Sequence, residues 1–187
     1  MRLAGTGLLE WGGRVTWTIA DGVRGRRWRA MLLDDGQVVG ALLLETSPDG
    51  GLQKLELATA AGLLTLHPEG TTLHGNVVRP VGVQHISLPW SEDRVLLVVG
   101  TPATAAAAAR RLLGRIGVGE GHTVPAVSVD IALAVRPVTL RILRPAERFW
   151  RFVPADGGPE TAVTLDDAGI PILDEPETWP LEREAGA

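Results

Sequence analysis

Short alternating or apolar runs, separated by turns rich in Gly, Asp and Pro, recur along nearly the whole chain and narrow what it can fold into. Val15, Trp17 and Ile19 alternate with Thr16 and Thr18, the period of a strand with one buried face. Runs over 28–33 and 38–44 flank Asp34-Asp35-Gly36-Gln37. Asp-Gly between apolar runs marks a hairpin, because the tight turn needs positive φ. Ser47-Pro48-Asp49-Gly50-Gly51 is the next turn, followed by runs over 52–57, 62–66 and 71–73. Residues 83–88 form a weaker strand, and 94–99 are a continuous apolar run expected to be buried on both faces. Val127, Val129, Ile131, Leu133 and Val135 give the clearest period of two and read as one strand. Further strands follow at 138–142 and 149–153, and a last hairpin closes around Asp166-Asp167-Ala168-Gly169.

One segment breaks this pattern. Residues 102–116 begin Pro102-Ala103-Thr104, continue through an unbroken alanine run from Ala105 to Ala109, and end Arg110-Arg111-Leu112-Leu113-Gly114-Arg115-Ile116. Alanine has the best helix propensity, Pro102 suits the first helical position, and Thr101 is placed to cap. Ala105, Ala109, Leu112, Leu113 and Ile116 share one face, so the segment predicts an amphipathic helix packed on a sheet. The expected architecture is mainly β: a single domain over 1–187 built from an antiparallel curved sheet, a spiral β-roll or half-barrel, with one helix around 102–116. Residues 174–187 read as an acidic tail rich in Pro and Glu that carries Trp179.

Composition excludes several functions. The chain has 187 residues and no cysteine, so disulfides, thiolate catalysis and cysteine zinc sites are ruled out. Its formal net charge of −4 argues against a nucleic-acid partner. The N-terminal residues lack a signal-peptide pattern, and no run reaches the roughly 18 apolar residues of a membrane helix, which makes the cytoplasm the expected location. No phosphate loop, dinucleotide fingerprint, nucleophile elbow or His-Glu-x-x-His helix is present, and no cofactor is expected.

The histidines are His67, His74, His85 and His122. Pairing across Pro68-Glu69-Gly70 would bring His67 and His74 together. Their spacing does not define a metal site, and surface or turn positions are the ordinary outcome. Most carboxylates sit at turns, where turn chemistry explains them. Asp130 lies inside the strongest strand pattern, on its polar side or paired with Arg141 or Arg144. Residues 73–90 mix polar groups with Gly and Pro. They read either as an irregular crossing between sheets or as a pocket wall in which Asn76, Arg79 and His85 hold a polar headgroup under Trp90. Residues 148–152, Arg-Phe-Trp-Arg-Phe, fit a strand with one buried face; interleaved Arg and aromatics also make Trp150 a candidate ligand contact.

Several landmarks occur in an order similar to a known family: Leu73-His74-Gly75, Ser87-Leu88-Pro89, the valine-rich run 127–135, Pro137 with Arg141, Phe149-Trp150-Arg151-Phe152, Thr164-Leu165-Asp166-Asp167-Ala168-Gly169 and Trp179. In this order the chain resembles bacterial proteins described as glycolipid-binding, over about 27–182. The helix at 102–116 is additional to the family pattern, and its acidic, threonine-rich central motif is not found at 76–83. The resemblance implies a spiral β-roll whose concave face holds acyl chains, and hence a non-catalytic binding protein with a lipid or other apolar small molecule as partner. Two other expectations stand beside it. One is a small hydrolase or isomerase using His74 or His85 as base with Arg79 on an anion. The other is a structural module whose exposed strand edge pairs with another copy.

Overall fold

The computed structural model describes residues 1–180. The chain is mainly β with one helix. It opens with eight strands in sequence: β1 (Arg2–Leu8), β2 (Arg14–Gly22), β3 (Gly25–Asp34), β4 (Gln37–Thr46), β5 (Leu52–Thr59), β6 (Gly62–Glu69), β7 (Thr72–Arg79) and β8 (Gly82–Pro89). Each is antiparallel to the next. Short β9 (Val95–Val98) leads into helix α1 (Pro102–Leu112), which returns the chain to β10 (Gly121–Val129). There follow β11 (Val135–Ala146), β12 (Phe149–Pro154), β13 (Thr161–Thr164) and β14 (Asp174–Pro180). Two sheets result, ordered β14-β1-β2-β3-β4-β5-β6-β7-β8 and β13-β12-β11-β10-β9.

Turn chemistry accounts for the regular meander. At Asp35-Gly36 both φ angles are positive, +46° and +75°, as a two-residue hairpin requires. Alternation then sorts the faces. Val15, Trp17 and Ile19 on β2, Trp28, Ala30 and Leu32 on β3, and Leu55 and Leu57 on β5 all point inward and are buried. They join Val127, Ile142, Trp150 and Phe152 of the second sheet in one continuous core. The helix carries buried Ala103, Ala105, Ala106, Ala108 and Ala109. It packs on β9, β13 and β4, so it touches both sheets.

Four expectations are corrected. First, the alternation over 127–135 is not one strand. β10 stops at Val129, residues 130–134 form a loop, and β11 begins at Val135. Asp130 makes the reversal: its Oδ1 accepts the Ala134 N–H at 2.9 Å, and Oδ2 accepts from Arg136 at 3.0 Å. Its cationic partner is therefore Arg136, not Arg141 or Arg144. Periodicity registers apolar residues and is blind to such a side-chain-to-backbone bond. Second, residues 73–90 are not an irregular crossing, and although residues 87–90 border a hollow at the end of β8, Asn76, Arg79 and His85 do not line it. The segment is two regular strands turning at Pro80-Val81, with Arg79 opposite Gly82. Third, the helix ends at Leu112. Leu113 is 53% exposed, while Ile116 remains buried in the turn that follows. Thr101 makes no capping bond; its hydroxyl donates to the Val98 carbonyl at 3.2 Å, and the Thr104 hydroxyl accepts the Val98 N–H at 2.9 Å. Fourth, one strand pair departs from the antiparallel expectation. β9 and β10 are parallel, because the helix between them carries the chain back to its starting end.

Part of the expected tail is also sheet: β14 pairs antiparallel with β1, Trp179 lying opposite Ala4. Residues 181–187 of that tail lie outside the described residues. Among those described, no helix is long and apolar enough to cross a membrane.

Candidate functional site

The five residues singled out in the sequence do not converge. Asn76 and His85 are directly opposite on β7 and β8, with Oδ1 and Nδ1 hydrogen-bonded at 2.6 Å. They share the outer face of the nine-stranded sheet with His67 and His74, which face one another with ring centroids 6.2 Å apart. Arg79 is at an odd position of β7, in phase with buried Leu73 and Val77, so it leaves from the opposite face. Its guanidinium donates to Gln84 Oε1 at 3.2 Å and to the Ala132 carbonyl at 2.9 Å. The catalytic alternative of His74 or His85 with Arg79 is thus split by the thickness of the sheet. Trp90 is buried just after β8, where its backbone N–H donates to the Thr71 carbonyl at 2.8 Å. It lines a cavity of ≈ 20 Å³, barely room for one water, and borders an open hollow of ≈ 580 Å³ with Ser87, Pro89 and Arg94. Trp150 is 1% exposed in the second sheet, with the Arg144 guanidinium 5.1 Å from its ring centroid. Among the described residues no three His, Asp or Glu side chains gather to hold a metal ion.

Two openings lie elsewhere. The wider, ≈ 760 Å³, is lined by Arg26, Arg110, Arg144 and Arg148 together with Asp21 and Asp167. These groups are largely occupied with structure. Arg26 is 5% exposed and clasps both Asp21 carboxylate oxygens, at 2.6 and 2.9 Å. It also donates to the Ala168 and Gly169 carbonyls at 2.8 and 3.1 Å, tying the β2–β3 hairpin to the turn after β13. Burial pushes the Asp21 carboxyl up, but the hydrogen bonds and charge of Arg26 outweigh it and hold the group below its ordinary value. Arg148 pairs with Asp167, Arg110 donates to the Pro48 carbonyl, and Arg144 donates to the Ile116 and Glu147 carbonyls.

The second opening, ≈ 420 Å³, lies where the ends of the two sheets meet the start of α1. Leu9, Phe149, Val163 and Leu173 form apolar parts of its wall. Trp11 and Ile172 also line it, 45% and 51% exposed. Trp11 comes from the β1–β2 loop and donates its indole N–H to the Gly100 carbonyl at 3.3 Å, so it reaches across from one sheet to the connection leaving the other. Polar groups line the same opening: Thr161, Thr164, Glu10 and Asp174. Glu10 and Asp174 have no cationic partner among the described residues, whereas Glu160 is held by Arg151 at 2.7 Å and its carboxyl is lowered by that bond. Beside this cleft, and sharing Thr101, Pro102 and Leu173 with it, is a small apolar cavity lined by Trp17 and Trp28. The buried indole N–H of Trp28 has no hydrogen-bond partner among the described residues.

Sequence reasoning missed this cleft because its walls come from three stretches far apart in sequence: 8–11, 99–102 and 149–174. It missed Arg26 because the strand was read only from Trp28 onward, although Arg26 keeps phase with Trp28, Ala30 and Leu32. Fold and clefts together define an all-β protein of two sheets around one core, with an open cleft at their junction. Set against known proteins, the chain matches no family model, no curated protein and no solved structure.

Proposed function

We propose that this chain is a non-catalytic binding protein for a lipid or glycolipid, and that the ligand occupies the cleft between the sheet ends. One observation carries the reading: two large apolar side chains, Trp11 and Ile172, stand exposed on a cleft with an apolar wall. An exposed Ile costs about 1.5–3 kcal/mol relative to a buried one, and a bound acyl chain would recover much of that. The volume falls within the usual range for small-molecule sites. The same cleft disfavours an anionic headgroup, because Glu10 and Asp174 are unpaired among the described residues. Carboxylates and the Thr161 and Thr164 hydroxyls are instead suitable partners for the hydroxyls of a neutral, sugar-like head. The inward face of the large sheet is taken up by the shared core, so the ligand site belongs at the sheet ends rather than over the middle of that face.

The test is mass spectrometry of the organic extract of natively purified protein, paired with titration of a fluorescent acyl probe. The expected result is a co-purified neutral amphiphile and saturable quenching of tryptophan emission. Ile172→Glu should weaken probe binding by about tenfold or more with the fold intact. An empty extract, together with a probe signal that never saturates and ignores Ile172→Glu, overturns the reading.

A further inference from the structure

We infer that β8 is a self-association edge, and that two copies of this chain pair β8 to β8, antiparallel about a two-fold axis, into one continuous sheet. The inference rests on how differently the sheet edges are finished. A strand edge presents unpaired N–H and C=O groups, and proteins blunt such edges with charges, prolines, bulges or cover. The β14 edge carries Asp174, Glu175, Glu177, Pro176 and Pro180, and its pairing has a register shift. The β13 edge is covered by the turn that follows, where Ile172 donates its N–H to the Thr164 carbonyl at 2.8 Å. All four residues of β9 are buried.

β8 has none of these protections along 82–88. Its sequence, Gly-Val-Gln-His-Ile-Ser-Leu-Pro, contains no Asp, Glu, Lys or Arg. Its ladder with β7 runs from Thr72↔Pro89 to Arg79↔Gly82 without a shift. Gln84, His85 and Ser87 are exposed, and Val83 is 57% exposed. Val83 also ends an outward-facing apolar row that crosses six strands in register: Met31, Ala41, Ala58, Leu63, Val78, Val83.

Charge decides for a second copy as the occupant. Self-pairing sets every residue against the same strand, so a strand with acids or lysines would repel itself, and β8 has no such residue to oppose. A two-fold axis normal to the sheet keeps inward side chains inward, which requires the axis to pass midway between the two copies of one residue. Centring on His85 puts Val83 beside Ser87 and Gln84 beside Ile86 of the other copy. It also leaves Pro89, which has no N–H to donate, outside the shared ladder.

The natural absence of cysteine allows a direct test. Sedimentation from low to high micromolar concentration should show a monomer–dimer equilibrium. The exposed pair Val83→Lys and Ser87→Lys should raise the dissociation constant by about tenfold or more. Circular dichroism and the melting temperature check that this variant folds. His85→Cys, at Cα separations of roughly 4.5–5.5 Å across the axis, should give a disulfide dimer on mild oxidation, whereas Ala41→Cys on the interior strand β4 should not. A monomer at every concentration, a dimer indifferent to the two lysines, or cross-linking through Ala41→Cys in place of His85→Cys each overturns the inference. Because none of these readouts involves a lipid, failure here leaves the cleft reading standing, and failure there leaves this one.

Discussion

Arg26 shows how one side chain joins distant parts of the chain. Its guanidinium meets a carboxylate five residues away and two carbonyls more than 140 residues away. It also lies 5.5 Å from the Trp28 ring centroid, where a cation is attracted by the ring face. Removing it leaves Asp21 and two carbonyls without a donor. Arg26→Met is therefore expected to lower the unfolding free energy by about 3 kcal/mol at neutral pH, measured by denaturant titration. The pH dependence has a definite sign. Asp21 is held below its ordinary 3.8, so the pair's contribution is complete above that value and fades as pH falls through the folded value. The gap between wild type and Arg26→Met should narrow in acid. A gap that stays constant from neutral pH to well below 3.8 would show that Asp21 is not the group being stabilised.

At the scale of elements, the loop between β4 and β5 clamps the helix. Arg110 donates to the Pro48 carbonyl at 2.8 Å, and Arg111 pairs with Asp49. The close approach depends on Gly50, whose φ is +88° and whose added Cβ would sit 2.5 Å from the Ala107 carbonyl oxygen. Gly50→Ala combines left-handed strain with a backbone clash and should cost about 2–3 kcal/mol. Gly22→Ala meets nothing within 4 Å and should change the denaturation midpoint little. Equal effects would mean that the loop does not seat the helix. The contrast also explains what the sequence disclosed. Asp35-Gly36 announces its turn because the φ requirement is local. The same holds for the alternation of β2 and the helix start at Pro102. Ser47-Pro48-Asp49-Gly50-Gly51 was legible as a turn, but its hold on α1 was not, since that depends on a contact with a helix far along the chain. Asp130 misled for the complementary reason: a local hydrogen bond overrode a sound hydrophobic period. The cleft was the least legible of all, because only the meeting of the two sheets creates it.

Across the whole molecule, α1 is the wedge that joins the sheets. It touches β4 on one side and β9 and β13 on the other. Its buried face is built from alanines, which lets both sheets approach its backbone. Ala109 is fully buried in that contact. Replacing it with the larger leucine adds carbons where packing leaves no room, at a cost of about 1–3 kcal/mol. If the sheets form one cooperative unit around the helix, the loss must appear equally in every probe. Tryptophan emission reports Trp17 and Trp28 in the large sheet and Trp150 in the small one, while far-UV circular dichroism reports all the strands together. The two signals should share one midpoint in the wild type and shift together in Ala109→Leu. Separate midpoints would mean that the sheets melt independently. The cleft at their junction would then open whenever the weaker sheet unfolds. Coincident midpoints instead make the cleft as durable as the core, because Leu9 and Val163, which wall it, are held by the same packing that α1 completes.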